Sequence, residues 1–214
     1  MTIDRLHVLW SDAVEHRRQV IGELSRANGL FTFAYTDAGT TDALPEFRGA
    51  TSRSAARLFA TFSERIPSKR RQDRELILSE LGLVDPADDF EVLALSGGML
   101  VTDRVELAEV RDIGDTFERP LKFRVAGARR YPEFPELVAG ETFTVDVEPD
   151  NEFDPNACRL LRASGCCAGY IPLSYTPAVK AFVQTGGKLS VCLLRSAMLP
   201  HQPRPQWIAE LKAI

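Results

Sequence analysis

The chain has 214 residues, of which 44% are hydrophobic and 26% are charged, a composition typical of folded globular proteins rather than of disordered chains. No apolar run approaches the roughly 18 residues of a membrane-spanning helix, and the opening residues lack the pattern of a secretion signal, so we expect a cytoplasmic protein without a membrane partner. The net charge of −4 argues against strong non-specific binding to DNA, so any contact with nucleic acid should be local.

The first part of the chain predicts strands. Apolar and polar residues alternate over 6–10, a second run covers 18–25, and alternation resumes over 31–35. Asn28-Gly29 separates the last two runs, and this dipeptide is the strongest short-range sequence signal for a β-hairpin. The small, polar and Pro/Gly-containing residues 38–50 predict a loop.

Three helices are predicted next, over 51–65, 68–81 and 85–97. The first helix has an apolar stripe at the helical spacing, formed by Ala55, Leu58, Phe59 and Phe62. Glycines follow the second and third helices, as expected of left-handed residues that end helices. A further strand is predicted within 99–107.

The charged segment 109–120 has no apolar periodicity and predicts a domain boundary. Charge divides in the same place, because residues 1–116 carry 14 Lys and Arg against 20 Asp and Glu, whereas the remainder carries 12 against 10. We therefore predict two domains, over 1–112 and 118–198, followed by a tail over 199–214.

The second half predicts a small β-barrel. Its strands are predicted over 121–128, 141–147, 157–162, 166–171 and 188–195, and one helix is predicted over 177–185. Five strands and a helix suit an OB-like barrel, so the predicted fold class is α+β, with an N-terminal hairpin or sheet and three helices before the barrel. In the tail, a docking helix is predicted from the apolar residues Trp207, Ile208 and Leu211.

The cysteines and histidines offer little for catalysis or metal binding. Cys158, Cys166, Cys167 and Cys192 contain no Cys-x-x-Cys pair, and if 163–165 is a hairpin turn, Cys167 lies opposite Leu161. We expect buried, reduced thiols rather than a metal site. Because no Ser/His/Asp or Cys/His set stands out, we also expect no enzyme activity and no cofactor.

The segment 148–157, Glu-Pro-Asp-Asn-Glu-Phe-Asp-Pro-Asn-Ala, predicts a stiff turn. Its prolines restrict the backbone, and its Asp and Asn side chains can bond nearby backbone groups. Phe153 is thereby placed beside the Asp154 carboxylate, and an aromatic ring beside a fixed acceptor can stack a base and bind a hydroxyl group. The alternative is a purely structural turn with Phe153 packed inward.

Together with Val125-Ala126-Gly127-Ala128-Arg129-Arg130-Tyr131 before it and Gly169-Tyr170-Ile171-Pro172 after it, this turn resembles the HIRAN domain, over Leu121 to Arg195. The resemblance implies an OB-like barrel that binds the 3′-hydroxyl end of single-stranded DNA. It implies that Phe153 stacks on a base and Asp154 accepts the hydroxyl, whereas Arg130 stands where some members have a tyrosine. The candidate DNA-binding residues are Arg129, Arg130, Tyr131, Phe153, Asp154 and Asn156.

Residues 18–108 resemble the N-terminal subdomain of HipA-type serine/threonine kinases. The matching pieces occur in the family's order and include Gly29-Leu30-Phe31-Thr32-Phe33-Ala34-Tyr35, Ile66-Pro67, Gly82-Leu83, Asp88-Asp89-Phe90 and Ala94-Leu95-Ser96-Gly97-Gly98. Gly97-Gly98 is not followed by the Lys-Ser/Thr of a phosphate-binding loop, so the chain should not phosphorylate a substrate alone.

The resemblance implies a free-standing, HipS-like subdomain that binds a separately encoded HipA-like kinase, as an antitoxin or regulator in a toxin–antitoxin system. A further DNA-binding antitoxin partner is compatible with this role. The candidate partner-binding residues form a basic run, Arg65, Lys69, Arg70, Arg71 and Arg74, for which a solvated helix face is the alternative.

Two hypotheses follow from these resemblances. In the first, the chain is a non-catalytic partner of the kinase whose barrel binds DNA. In the second, it is a stand-alone module that binds nucleic-acid ends in DNA repair or damage sensing. A kinase that purifies with the chain would favour the first, and tight binding of single strands by the isolated chain would favour the second.

Overall fold

The chain divides into two compact units, Met1–Val110 and Arg111–Ile214. The computed structural model describes residues 3–11, 18–36, 43–128, 137–198 and 205–214. The class is mixed α+β, with one antiparallel sheet in each unit and few helices. No helix among these residues is long and apolar enough to cross a membrane.

The first unit contains a five-stranded antiparallel sheet with the order β4-β3-β2-β1-β5. Its strands are β1 (Arg5–Ser11), β2 (Arg18–Ala27), β3 (Leu30–Tyr35), β4 (Ser52–Ala55) and β5 (Val105–Glu109). The predicted hairpin is confirmed, because Asn28 and Gly29 join β2 to β3 with φ values of 51° and 76°. Both values are positive, as a two-residue turn that matches the strand twist requires.

The helices of the first unit are shorter than predicted. They are α1 (Ala60–Ser63), α2 (Arg74–Leu81) and α3 (Asp89–Ser96), and a 3-10 turn covers Pro45–Phe47. The predicted helix over 51–65 is wrong in its first half, because residues 52–55 pair with β3 as an edge strand.

The start of α1 is fixed by a residue distant in sequence. The Glu46 carboxylate accepts the backbone N–H groups of Ala60 at 3.3 Å and Thr61 at 2.7 Å. Such a contact satisfies N–H groups that a helix start otherwise leaves without partners. In contrast, α3 has a local cap, because Asp88 accepts the N–H groups of Phe90 at 3.0 Å and Glu91 at 3.1 Å. The predicted start of this helix at Asp85 is therefore too early.

Aromatic side chains hold the sheet and helices of the first unit together. Phe33 of β3, Phe47 of the 3-10 turn and Phe62 of α1 are fully buried. The ring centroids of Phe33 and Phe47 lie 4.4 Å apart, and those of Phe47 and Phe62 lie 5.9 Å apart. Burial of large rings is a major source of stability in a core of this size.

The second unit contains a six-stranded antiparallel sheet with the order β6-β11-β10-β7-β8-β9. Its strands are β6 (Leu121–Arg124), β7 (Thr142–Val147), β8 (Cys158–Leu161), β9 (Cys167–Tyr170), β10 (Leu189–Ala197) and β11 (Gln206–Ala213). Among the described residues of this unit there is one helix, α4 (Thr176–Gln184). The strands and helix predicted for residues 121–195 are confirmed in place, although their ends differ by a few residues.

The docking helix predicted in the tail is wrong, because its residues form β11 between β6 and β10. Ile208 and Leu211 are fully buried there. Their spacing suits a helical stripe, but the backbone of β11 bonds to a strand on each side, and this pairing determines its conformation. The second unit therefore extends to the end of the chain rather than to residue 198.

The sheet of the second unit curls into a half-barrel. Its edges meet at an isolated antiparallel bridge, where Ala126 and Tyr170 exchange backbone hydrogen bonds of 2.9 Å and 2.8 Å. Gly169 permits this approach, because its φ is 138° and a methyl group there would lie 2.8 Å from the Ala126 carbonyl oxygen and 2.6 Å from Val125 Cγ1. The Gly-Tyr-Ile-Pro motif thus marks the point of closure.

Replacement of Gly169 with alanine should destabilise the second unit. The added methyl group would push against a backbone oxygen at the bridge, and overpacking of this kind costs about 1–3 kcal/mol. Urea unfolding followed by Trp207 fluorescence, in a chain in which Trp10 is replaced with Phe, measures the change. Gly114→Ala is the matched control, because a methyl group there meets nothing within 4 Å. Equal stability of the two variants would contradict this account of the bridge.

Candidate nucleic-acid interface

The segment between β7 and β8, residues 148–157, forms a turn built around the Asn151 side chain. Asn151 Oδ1 accepts the backbone N–H groups of Phe153 at 3.0 Å and Asp154 at 3.1 Å. Asn151 Nδ2 donates to Glu148 Oε2 at 2.7 Å. These contacts assign the orientation of the amide, since its oxygen faces two donors and its nitrogen faces a carboxylate.

The strand side of this turn is anchored by Arg159 of β8. Its guanidinium lies opposite Asp146 of β7 in the strand register, and Nε donates to Asp146 Oδ2 at 3.1 Å. Nη1 also approaches Glu148 Oε1 at 3.4 Å. The hydrogen bond to Asp146, and then the charges of Asp146 and Glu148, raise the pKa of Arg159. A chain of contacts thus runs from the sheet through Glu148 to the Asn151 amide.

The helix side of the turn is anchored by Asp154. Its Oδ1 accepts the Asn156 backbone N–H at 2.8 Å, and its Oδ2 accepts the hydroxyl of Thr176 at 2.8 Å. Thr176 lies at the start of α4 and is only 1% exposed. Asp154 is therefore part of the turn's internal bonding, and a bound hydroxyl group would have to use its remaining lone pairs.

Lys180, on the next turn of α4, also holds the segment. Its Nζ donates to the Pro155 carbonyl oxygen at 3.0 Å and to Asn156 Oδ1 at 3.1 Å. The Asn156 side chain, a candidate DNA-binding group, is thus already engaged by a lysine. Thr176 and Lys180 are not among the predicted site residues. The helix predicted over 177–185 excludes Thr176, whereas α4 includes it, and the Thr-x-x-x-Lys spacing then places both side chains on one helix face.

A buried thiol lies beneath the turn. Cys158 Sγ donates to the Asn156 carbonyl oxygen at 3.2 Å, and its side chain is fully buried. Burial, and then the nearby Asp154 charge, raise the pKa of Cys158 to about 12, so it stays a neutral thiol. Cys167 lies opposite Leu161, as predicted, but the expectation that all four cysteines are buried is wrong, because Cys166 is exposed and Cys167 and Cys192 are partly exposed.

Phe153 points away from the core, with 61% of its surface exposed. The alternative of a structural turn with this ring packed inward is therefore wrong. The ring lies between two anchors, because Asn151 is held before it and Asp154 is held after it. A large apolar ring on a turn braced from both sides is a surface suited to stacking.

The turn is acidic. Glu148, Asp150, Glu152 and Asp154 recur at every second residue. Glu148 and Asp154 are engaged by Arg159, Asn151 and Thr176, whereas Asp150 and Glu152 are exposed to solvent. This charge disfavours a close approach of phosphate groups to the turn itself.

Three candidate DNA-binding residues, Arg129, Arg130 and Tyr131, lie outside the described residues. Ala128, the last residue described before them, is buried and follows the bridge at Ala126. Among the described parts of the chain, no group of three or more His, Cys, Asp or Glu side chains is arranged to hold a metal ion.

The basic run proposed as a kinase contact is divided by the structure. Arg65 is buried and donates to Gly98 O at 2.8 Å and to the Asp103 carboxylate, and Arg74 is buried and donates to Asp85 at 3.1 Å. These two arginines are buried, so they are removed from the candidate partner-binding residues. The other three residues of the basic run, Lys69, Arg70 and Arg71, are exposed. Arg71 pairs with Asp73, and this contact raises the pKa of Arg71.

Two solved structures resemble part of the chain. The HIRAN domain of human HLTF is 17% identical and has a TM-score of 0.35, with 44% of this chain and 75% of that chain covered. A protein from Lactobacillus plantarum is 18% identical and has a TM-score of 0.33, with 42% of this chain and 91% of that chain covered. Similarities this low in TM-score and identity do not by themselves establish a common fold. No protein-family model and no curated protein matches the chain.

Replacement of Asn151 with alanine should loosen the turn without unfolding the half-barrel. The change removes the acceptor shared by the Phe153 and Asp154 amides. A net hydrogen bond is worth about 1 kcal/mol, so hydrogen exchange at these amides should accelerate about fivefold.

The control for this measurement is Ser164→Ala, which removes a side-chain acceptor from the turn between β8 and β9. It should leave exchange at Phe153 and Asp154 unchanged. Unchanged exchange in Asn151→Ala would show that the amide does not hold the turn.

Proposed function

We propose that the chain is a non-catalytic protein whose second unit binds the 3′-hydroxyl end of single-stranded DNA at the turn 148–157. The observation that carries this proposal is the exposed ring of Phe153, braced between Asn151 and Asp154. The HIRAN-like motifs around this turn support the same assignment. Because the backbone is held on both sides of this ring, less conformational freedom is lost when a base stacks on it.

The charge of the turn supports a strand end rather than an internal stretch as the ligand. A terminal nucleotide with a free 3′-hydroxyl has no phosphate on that side, so it can approach Asp150 and Glu152 without like-charge repulsion. The Asp154 carboxylate next to the ring offers an acceptor for the hydroxyl hydrogen. The remaining phosphates of the strand would lead away from the turn.

Binding of a separately encoded HipA-like kinase is a second candidate, and it remains a prediction from the motifs of residues 18–108. Three members of the basic run have exposed side chains that can contact such a partner: Lys69, Arg70 and Arg71. This second candidate would be supported if a kinase co-purifies with the chain at a 1:1 ratio and no longer does so when these three residues are changed to Glu. The end-binding function does not depend on it.

Replacement of Phe153 with alanine should weaken binding of a short single strand by about 1–3 kcal/mol, because the stacking surface is lost. Phe153→Trp should retain affinity, since indole also stacks on bases. Fluorescence anisotropy with a labelled oligonucleotide measures both. The control is Ile113→Ala, which removes an apolar side chain that is 66% exposed in the same unit. Equal affinity of Phe153→Ala and the unaltered chain would remove the turn from any stacking role.

The chain should prefer a strand with a 3′-hydroxyl to the same strand with a 3′-phosphate. A terminal phosphate meets the exposed carboxylates, and each unit charge costs about 1 kcal/mol at 4 Å even in water. We expect a preference of about fivefold or more at low salt, reduced in Asp150→Asn/Glu152→Gln. Competition between the two oligonucleotides measures it, with a 5′-phosphorylated strand as the control. Equal affinity for the two 3′ ends would exclude end recognition by this turn.

A further inference from the structure

Helix α4 contacts the turn 148–157 at two points that are one helical turn apart. Thr176 Oγ1 reaches Asp154 Oδ2 at 2.8 Å, and Lys180 Nζ reaches Pro155 O at 3.0 Å and Asn156 Oδ1 at 3.1 Å. Residues four apart lie on one helix face, so both contacts come from the same side of α4. Together they hold the three residues that directly follow Phe153.

We propose that Thr176 and Lys180 are positioning residues for the nucleic-acid site, acting through Asp154 and Asn156. This inference rests on the proposed function of the turn. Asn151 and Glu148 hold the turn from the strand side, and α4 holds it from the other side. With both sides held, the Phe153 backbone and the Asp154 carboxylate keep a fixed position relative to each other, and recognition of a base together with its hydroxyl requires such a fixed position.

The helix is a firm support for this role. One face of α4 is packed into the second unit. The residues on this face are only 1%, 2% and 0% exposed for Thr176, Ala178 and Val179. The chain enters α4 from the Gly169-Tyr170-Ile171-Pro172 segment, and the Tyr175 N–H donates to Pro172 O at 2.9 Å. The same short segment therefore closes the half-barrel at Tyr170 and places the helix that holds the turn.

Lys180 also supplies charge. Its ammonium group has three N–H donors, of which two are used on the turn, and it lies against a segment with four carboxylates over 148–154. Loss of this lysine would remove both the hydrogen bonds and a positive charge. Substitutions at different residues of the chain can separate the loss of hydrogen bonds from the loss of charge.

The experiment compares Lys180→Met, Lys180→Arg, Thr176→Val and Lys188→Met. Lys188 is an exposed lysine of the same unit and provides a matched loss of charge outside α4. Two quantities are measured for each full-length variant: the affinity ratio of a 3′-hydroxyl over a 3′-phosphate oligonucleotide, and hydrogen exchange at the Asp154 and Asn156 amides.

Lys180→Met and Thr176→Val should each lower the affinity ratio about threefold to tenfold and accelerate exchange at both amides by a similar factor. Lys180→Arg should restore most of the ratio, because guanidinium keeps the donors and the charge. Lys188→Met should weaken both oligonucleotides slightly and equally, leaving the ratio and the exchange rates unchanged.

Wild-type values of the ratio and of exchange in Lys180→Met and Thr176→Val would overturn the inference while leaving the proposed function intact. An equal fall of the ratio in Lys188→Met would overturn it too, since the fall would then not depend on the two contacts between α4 and the turn. Failure of the wild-type chain to bind either oligonucleotide would overturn the proposed function and this inference with it.

Discussion

The side-chain amide of Asn151 is the contact on which the candidate site depends. Its oxygen accepts two consecutive backbone N–H groups, and its nitrogen donates to Glu148, which is in turn held by Arg159. An aspartate at this position would supply the acceptor but not the donor, and its charge would face the Glu148 carboxylate. The turn therefore needs an amide side chain to keep the backbone folded around Phe153.

Phe153 is exposed on a turn whose backbone is held on both sides. Full burial of a phenylalanine side chain is worth about 1.5–3 kcal/mol, and a ring with 61% of its surface exposed forgoes much of that. The surrounding polar groups are occupied by one another, through Asp154 with Thr176 and Asn156 with Lys180. What the turn presents outward is thus an apolar ring and negative charge, a combination that suits the phosphate-free end of a strand better than its interior.

Local sequence signals predicted the elements whose causes are local. Asn28-Gly29 specified its hairpin, and the glycines at 82 and 97 ended helices in the left-handed conformation. The motif around Phe153 likewise indicated a turn bonded by its own Asp and Asn side chains. In each of these cases the bond joins residues only a few positions apart, so a single sequence contains the whole cause.

The errors occur where a distant segment decides the structure. Ala55 belongs to the apolar stripe of the predicted helix, but residues 52–55 pair with β3, and Glu46 rather than a neighbouring residue caps the start of α1. The tail has apolar residues at helical spacing, Ile208 and Leu211, yet it forms a strand between β6 and β10. Arg65 and Arg74 show the same for individual side chains, because the Asp103 and Asp85 carboxylates that pair with them are 38 and 11 residues away in sequence.

The central claim is that the base at a strand's 3′ end stacks on Phe153 while its hydroxyl meets Asp154. The most direct test is an NMR spectrum of the chain, ring-labelled at phenylalanine, in complex with a short DNA strand that has a free 3′-hydroxyl. The account predicts nuclear Overhauser contacts between the Phe153 ring protons and the terminal base, and none to internal bases. Contacts from Phe153 to an internal base, or none from it to a strand that is demonstrably bound, would contradict the account.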